Sequence, residues 1–353
     1  MVLPTSPPAS LSVSQILTEF GIAANTQKRL SNDLFPLVGG TAGATCSLAA
    51  SFSGKSAAPA RLYVTVTDGP SSIAASSTDG ITWTERAMPV SAAWESVAVN
   101  TTTGVYVATT ESSAIAASST NGITWTQRSL PASVPFYAVT CNPTTGVFVA
   151  VGSGSSIAAS STNGITWTQR TLPSSENWFA VTVNTATGVF VTVSFTSAAA
   201  SSTDGITWTA RTLPSSQYWR GVAVNPNTGI FAAVAQGGTV AASSTNGITW
   251  TARTLPSSET WFAVVCNPTT GVFAAIAVAS TAAASSTDGI TWTARTLPAS
   301  KNWYGLTVNP TTGVFVAVAQ GSSIAASSTD GITWTQRALP VSANWRGVAA
   351  TAS

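Results

Sequence analysis

One short phrase, Ser-Thr-Asp/Asn-Gly-Ile-Thr-Trp, constrains the fold of this chain more than any other feature. It occurs seven times, and successive copies lie 41 or 42 residues apart. A fixed period of this length is typical of repeat proteins, in which each unit is one supersecondary structure that packs on its neighbours. The chain therefore consists of similar units whose phrases end at Trp83, Trp125, Trp167, Trp208, Trp250, Trp292 and Trp334.

Each unit contains four short segments with β-type patterning, separated by turn residues. In one unit these are the apolar run Gly146–Val151, then Ser156–Thr162, Ile165–Arg170 and the alternating run Trp178–Asn184. Helical periodicity is absent from them. Four strands per roughly 40–45 residues is the size of a propeller blade. The Asp-Gly and Asn-Gly dipeptides predict tight two-residue hairpins, because both central positions of a type I′ turn need φ > 0.

The two ends of the repeat region predict a closed ring. At Arg61 the repeat begins in mid-unit, without its first strand, and Trp345–Ala350 matches the first strand of every other unit. One strand from the end and three from the start would complete the last blade and leave no exposed sheet edge. The predicted fold is therefore all-β: a seven-bladed β-propeller of four-stranded blades over residues 61–353, closed by N- and C-terminal strands that share one blade.

The repeated phrase resembles the Asp-box, or BNR, repeat of β-propellers, whose signature is Ser-x-Asp-x-Gly-x-Thr-Trp. Here the glycine follows the acidic residue directly, and Asn replaces Asp at Asn121, Asn163 and Asn246. The resemblance covers about residues 61–353. It implies a propeller in which the box stabilises a hairpin and has no catalytic role.

Residues 1–60 lie outside the repeat and are predicted to form a separate, partly helical segment. Helix-start signals precede Ser12–Gly21, and Thr26–Phe35 is a second short helical candidate. Leu11–Gly21 and the later Ser51–Ser56 resemble the N-terminal attachment modules of phage tail and virion proteins. This resemblance implies attachment to other virion proteins through residues 1–60. The alternative is an ordinary extension that packs on the propeller.

Composition argues against several classes of function. The net charge is +2, from 14 basic and 12 acidic residues, with no clustered basic face for nucleic acid. The apolar runs are much shorter than the roughly 20 residues that span a bilayer. The chain has no histidine, which removes Ser-His and Cys-His nucleophile systems and the common metal triads. We therefore predict no enzyme, no cofactor, no metal site, no nucleic-acid partner and no membrane insertion.

Several repeated side chains are predicted to be structural. The box tryptophans are expected to pack within or between blades. An arginine follows each box, and its head group is expected to bond backbone carbonyls. Cys141 and Cys266 occupy a repeat position that is Val in other units, so they are expected to be buried free thiols.

The loops of a four-stranded meander alternate between two faces of the disc. The Asn-Pro-Thr-Thr-Gly turns and the boxes share one face and hardly vary. The loops between second and third strands and the loops between blades share the other, which we call the variable face. Its charges do not repeat: Asp68, Glu95, Glu111, Glu176, Arg220, Glu259, Lys301 and Arg346.

Positions that escape the repeat are expected at a binding face, although drift between units alone would also explain them. The tryptophans beside these positions are expected to wedge between blades. The candidate binding residues are Glu95, Tyr137, Phe179, Tyr218, Arg220, Phe262, Lys301, Tyr304 and Arg346.

The leading functional hypothesis is a phage virion structural protein that is associated with the tail and present in multiple copies per particle. It would be assembled in the host cytoplasm and exposed extracellularly after release. Its propeller would bind a host-surface glycan or protein. The alternatives are a bacterial Asp-box propeller that binds carbohydrate or protein, and a passive capsid decoration protein.

Overall fold

The computed structural model describes residues 62–351, and all regular secondary structure in that range is β. The predicted partly helical attachment segment, residues 1–60, lies outside the described residues. No helix within residues 62–351 has the length and hydropathy needed to cross a membrane.

Twenty-seven strands account for the described part of the chain, and most contain five to seven residues. They are β1 (Tyr63–Thr67), β2 (Ser71–Ser77), β3 (Thr84–Ala92), β4 (Trp94–Val99), β5 (Tyr106–Thr110), β6 (Ile115–Ser119), β7 (Thr126–Ser129), β8 (Phe136–Cys141), β9 (Phe148–Gly152), β10 (Ser155–Ser161), β11 (Thr168–Glu176), β12 (Trp178–Val183), β13 (Phe190–Ser194), β14 (Ala198–Ser202), β15 (Thr209–Thr212), β16 (Tyr218–Val224), β17 (Phe231–Gln236), β18 (Val240–Ser244), β19 (Thr251–Thr254), β20 (Thr260–Cys266), β21 (Phe273–Val278), β22 (Ser280–Ser286), β23 (Thr293–Val308), β24 (Phe315–Gln320), β25 (Ser322–Ser328), β26 (Thr335–Ala343) and β27 (Trp345–Ala350).

The strands form seven four-stranded antiparallel blades. Blades 1 to 4 are β4–β7, β8–β11, β12–β15 and β16–β19, each in sequence order. The long strand β23 serves two blades, because its first part pairs with β22 and its second part, from Asn302, pairs with β24. Blade 5 is therefore β20–β22 with the first part of β23, and blade 6 is the second part of β23 with β24–β26.

Blade 7 closes the ring, with β27 from the end of the chain beside β1, β2 and β3 from its start. Tyr63 pairs with Ala350 in this antiparallel seam, and the Thr351 amide donates to the Leu62 carbonyl at 3.0 Å. The first strand of each blade contacts the first strand of the next around the circle, and β27 contacts β4. The predicted closed, seven-bladed propeller is therefore confirmed.

The hydrophobic core lies between blades. In one cluster, Trp94 and Val97 of blade 1 pack with Val64 and Val66 of blade 7. Such a fully buried tryptophan lies first or second in every first strand except β8, which has Phe136 there. We call it the entrance tryptophan: Trp94, Trp178, Trp219, Trp261, Trp303 and Trp345. The indole Nε1 donates to a carbonyl four residues earlier at 3.0–3.3 Å, so burial leaves no unpaired donor. The predicted wedge between blades is confirmed.

The box is a hydrogen-bonded loop and not the two-residue hairpin that the sequence predicts. Strand β2 ends at Ser77 and β3 begins at Thr84, so six residues connect them. Oδ1 of Asp79 accepts hydrogen bonds of 2.8 Å from the Ser77 hydroxyl and from the amides of Ile81 and Thr82. Gly80 alone of the loop has positive φ, at 72°. The prediction is wrong because a side-chain oxygen, which Asn also offers, organises a wider turn.

The box glycine also brings neighbouring blades close together. A Cβ atom at Gly80 would lie 2.8 Å from Cγ2 of Val316 in blade 6. Its positive φ and this contact both favour glycine. The adjacent box tryptophan, Trp83, is buried and meets the Tyr63 ring edge-to-face at 6.3 Å. The repeated phrase therefore stabilises both the turn and the packing around it.

The arginine after each box is structural, but its acceptor differs from the predicted backbone carbonyl. Arg86 Nε donates to the Ser76 hydroxyl at 2.8 Å, and the same bond recurs in every blade. Arg86 stands opposite Ala74, two residues from Ser76. Residues two apart in a strand share one face, which brings the serine within reach.

Truncation tests the closing seam. A chain that ends at Ala343 lacks β27, so the edge of β1 is exposed. The hydrophobic cores between blades 6 and 7 and between blades 7 and 1 also lose the residues that β27 contributes. We expect a marked fall in melting temperature and solubility. A chain that ends at Thr351 keeps the seam and is the control. Equal melting of the two chains would contradict closure through β27.

Substitution in one box separates packing from turn chemistry. Replacing Trp208, which is buried, with Ala should reduce the free energy of unfolding by about 3–5 kcal/mol, because it leaves a large cavity. Asp204→Asn should cost little, because Asn121, Asn163 and Asn246 make the same bonds. Urea denaturation measures both changes. A large loss for Asp204→Asn would show that the negative charge itself is needed.

Candidate functional site

Seven side chains, one from each blade, line a cavity of about 190 Å³ at the variable-face end of the central channel. Each follows the entrance tryptophan or its Phe136 equivalent. We call this set the inner ring; it consists of Glu95, Tyr137, Phe179, Arg220, Phe262, Tyr304 and Arg346. These are seven of the nine candidate binding residues, and the fold brings them together from across about 250 residues of sequence.

A β-bulge positions each inner-ring residue. In blade 1, Trp94 pairs with Thr110 and Ser96 with Thr109, so Glu95 is an extra residue without a partner. The same register shift follows the entrance tryptophan, or Phe136 in β8, in every other first strand. A bulge turns a side chain out of the regular alternation of the sheet. It therefore lets the residue beside a buried tryptophan line the channel mouth.

A second circle of residues surrounds the inner ring. It occupies one repeat position, five residues after the start of each second strand, where the chain enters the loop to the third strand. This outer ring consists of Asp68, Glu111, Ser153, Phe195, Gln236, Val278 and Gln320. Of these, only Asp68 and Glu111 stand out in the sequence, by their charge. The other five could have been identified from the sequence, because the residue at this repeat position changes in almost every blade.

One side of the mouth is aromatic. Tyr137 stacks on Phe179 with ring centroids 4.8 Å apart, and Phe179 meets Phe262 edge-to-face at 5.6 Å. Phe262 in turn contacts Tyr304 at 4.5 Å. Phe195 of the outer ring stacks on Phe179 at 5.0 Å. These contacts form a continuous aromatic wall of rings from blades 2, 3, 5 and 6.

Arg220 lies against this wall as a cation without a carboxylate partner within residues 62–351. Its Cζ atom is 4.2 Å from the centre of the Phe179 ring and 4.3 Å from that of Phe195. Its Nε donates to Oε1 of Gln236 at 2.6 Å. Burial, with the nearby charge of Arg346, lowers the pKa of Arg220 to about 10, so the guanidinium stays charged at neutral pH.

The other side of the mouth is a buried ion pair. Arg346 directs both Nε and Nη2 to Oε1 of Glu95, each at 2.9 Å. Nη1 lies 3.7 Å from Oδ2 of Asp68, which also accepts from Nε2 of Gln320 at 3.2 Å. The guanidinium Cζ is 4.2 Å from the centre of the Tyr304 ring. Arg346 therefore links the acidic residues to the aromatic wall.

Glu95 is the most buried charge of the mouth. Its side chain is 3% exposed, and Oε2 is buried with no hydrogen-bond partner among the described residues. Burial, opposed by the charge of Arg346 and reinforced by the charges of Asp68 and Glu111, raises the pKa of Glu95 to about 7. Burial and the charge of Asp68 also raise the pKa of Glu111.

Two candidate residues do not line the mouth. Tyr218 is 56% exposed at the start of β16 and meets Phe195 edge-to-face at 5.2 Å. Lys301 stands opposite Ser280 where blade 5 passes into blade 6. Both lie on the variable face, away from the cavity.

A larger cavity, about 460 Å³, lies toward the opposite end of the channel. Val, Thr and Pro residues of the repeat line most of it, together with Cys141 and Cys266. Both thiols are buried and free, as predicted, and burial raises the pKa of each to about 12, so they are neutral. This cavity lacks charged side chains among the described residues, so the mouth of the variable face is the candidate site.

Comparison with known proteins supports the fold. A family model for the DUF6242 beta propeller domain matches residues 136–273, which contain blades 2 to 4 and the first strand of blade 5. No curated protein matches the sequence.

Several solved structures share the fold at low sequence identity. Virginiamycin B lyase from Staphylococcus aureus is 12% identical, with a TM-score of 0.64 over 72% of this chain and 87% of the lyase chain. YCF48 from Cyanidioschyzon merolae is 15% identical, with a TM-score of 0.51 over 69% and 84%. A further YCF48 structure, bound to D1 peptide, is 18% identical, with a TM-score of 0.53 over 70% and 81%. At these identities the likeness concerns the propeller fold alone.

A double-mutant cycle tests the ion pair. Arg346→Met should reduce the free energy of unfolding by about 3–5 kcal/mol, because it leaves Glu95 buried without its partner. Adding Glu95→Gln should restore part of this loss, since the neutral amide is cheaper to bury. Arg220→Met is the matched control, because no carboxylate pairs with Arg220, and should cost less. Additive effects of Arg346→Met and Glu95→Gln would show that the two side chains do not interact.

Proposed function

We propose that the propeller is a non-catalytic binding module that recognises a carboxylate-bearing group at the end of an acidic glycan. The observation that carries this proposal is Arg220, a charged guanidinium that lines the mouth cavity without a carboxylate partner among the described residues. Arginine binds carboxylates through paired, charge-assisted hydrogen bonds. A ligand carboxylate would supply the anion that Arg220 lacks.

The surroundings of Arg220 favour a sugar. The guanidinium of Arg220 is held in place by stacking on Phe179 and Phe195 and by its hydrogen bond to Gln236. Because this side chain is already ordered, the entropic cost of binding a ligand is lower. The aromatic wall beside it offers ring surfaces of the kind on which the apolar face of a sugar packs. At about 190 Å³ the cavity is smaller than the roughly 300–1,000 Å³ of drug-sized sites, so it suits one terminal residue of a chain.

We further propose that the seven boxes are Asp-box repeats. The support is their bonding pattern, in which one side-chain oxygen organises the turn in every blade whether the residue is Asp or Asn. A carboxylate that Asn replaces in three blades is a poor candidate for catalysis. The box thus supports the fold and leaves recognition to the mouth.

The non-catalytic role is also part of the proposal. Virginiamycin B lyase has the same fold, and a histidine-to-alanine variant of it is described as catalytically inactive. This chain contains no histidine, so it has no residue equivalent to the one replaced in that variant. In the mouth, Glu95 is the group whose pKa lies near neutrality, and its Oε1 is engaged by Arg346.

We propose in addition that the protein is a phage virion component, associated with the tail and attached through residues 1–60. This part rests on the resemblance of Leu11–Gly21 and Ser51–Ser56 to phage attachment modules. In such a particle the variable face would be presented to the host surface, and many copies would raise the avidity of weak individual contacts.

Binding to an array of acidic and neutral glycans tests recognition. The protein should retain glycans with a terminal carboxylate and lose them when the carboxylate is reduced to an alcohol. Arg220→Gln should weaken binding about 10–100-fold, the effect of losing a charge-assisted hydrogen bond. Lys301→Gln, which removes a cation of the variable face outside the cavity, is the matched control and should bind normally. Equal binding of carboxylate and alcohol forms would contradict the proposal.

Two further arms separate the alternatives. A peptide with a free terminal carboxylate, compared with its amidated form, distinguishes a peptide ligand from a glycan. Incorporation of the full chain and of a chain beginning at Arg61 into phage particles, measured by mass spectrometry, tests attachment. Equal incorporation would show that residues 1–60 are not the anchor, and would leave the glycan result unaffected.

A further inference from the structure

We propose that Asp68, Glu95 and Glu111 bind a calcium ion at the seam between blades 7 and 1. The sequence separates these residues by up to 43 positions and predicts no metal site. In the structure one carboxylate oxygen from each lies within 4.8 Å of the others. Asp68 comes from the loop after β1 in blade 7, and Glu95 and Glu111 come from β4 and the loop after β5 in blade 1.

The buried oxygen of Glu95 is the observation that points to a ligand. Oε1 of Glu95 is satisfied by Arg346, but Oε2 is buried without a hydrogen-bond partner among residues 62–351. A buried carboxylate oxygen is costly to leave unpaired, more so than a neutral acceptor. A cation bound to this oxygen would remove that cost, because the carboxylate keeps its charge and gains a partner.

The charge balance favours a divalent ion. When all three carboxylates are ionised, as they would be around a bound cation, they and the Arg346 guanidinium give the cluster a net charge of −2. The Arg346 guanidinium lies 2.9 Å from Oε1 of Glu95 and 3.7 Å from Oδ2 of Asp68. No ion pair is found for Glu111 in the described part of the chain. A divalent cation would neutralise the remaining charge. Arg220, the other guanidinium of the mouth, is held by Gln236 and the aromatic wall.

The geometry and donor type favour calcium. Two oxygens bound to one calcium ion at about 2.3–2.6 Å lie at most about 4.6–5.2 Å apart, so three oxygens within 4.8 Å of one another are close enough to share one ion. The cluster offers oxygen donors alone, which suit hard cations and disfavour zinc or copper. Asp68 and Glu111 are partly exposed, so water can complete the six to eight ligands that calcium takes. The more rigid octahedron of magnesium fits an open carboxylate triad less well.

Bound calcium would strengthen the ring next to its closing seam. It would connect blade 7, which contains both ends of the described chain, to the first blade that follows. It would also fix Glu95 and, through it, Arg346 at the mouth. This inference does not depend on glycan binding, because no ligand of the ion comes from the Arg220 side of the cavity.

Calcium titration of the full chain tests the site. After treatment with a chelator and buffer exchange, calorimetry should find one calcium ion per chain, and about 1 mM calcium should raise the melting temperature by several degrees. Magnesium should give a smaller shift. Sodium chloride at equal ionic strength should give none, because it only screens the charges.

Variants assign the site to its residues. Glu111→Gln removes a partly exposed ligand and keeps the Glu95–Arg346 pair, so it should fold and lose at least about tenfold in calcium affinity. Glu176→Gln, another acid of the variable face, is the matched control and should bind calcium normally. A complete absence of calcium heat and thermal shift would overturn the proposal. Unchanged affinity in Glu111→Gln, or an equal shift with sodium chloride, would also overturn it.

Discussion

The contact between neighbouring first strands, closed by the entrance tryptophans, is the interaction on which the rest of the molecule depends. A single four-stranded blade has two apolar faces and cannot bury either alone. Each entrance tryptophan is fully buried among residues of two blades, and its indole N–H is satisfied locally. Since every blade needs a neighbour on both sides, the chain is stable only as a complete circle. The β27–β1 seam supplies the last of these contacts.

This arrangement also separates the invariant parts of the molecule from the variable ones. Box turns, box tryptophans and the arginine–serine bonds recur in every blade, because each maintains the same loop and the same inter-blade distance. The bulge after the entrance tryptophan adds one residue to each first strand without altering that packing. The added side chain enters the channel mouth, where it contacts other variable residues. The packing that repeats in every blade therefore does not dictate which residue occupies this position.

The mouth has two halves with different electrostatics. Arg220 is surrounded by aromatic rings and an amide, and it carries a charge that the described residues do not neutralise. Arg346 lies across the ring beside three carboxylates, one of which is deeply buried. The first half suits an anionic ligand and the second a cation. The two guanidinium groups differ in their surroundings because the outer-ring neighbours differ. Arg220 has no carboxylate partner among the described residues, and Arg346 is compensated by Glu95 and Asp68.

The sequence by itself determined the fold. The seven boxes, the strand pattern and the incomplete first unit were enough to predict the closed propeller, because each unit repeats the same local physics. It also gave seven of the residues that meet at the mouth, through their departure from the repeat. Only the tertiary structure decided which of them meet. The bulge that aims Glu95 into the channel, the ring formed by Asp68, Phe195 and Gln236, and the pairing of Arg346 with Glu95 all depend on closure of the circle. No local signal in the sequence encodes a contact between residues 251 positions apart.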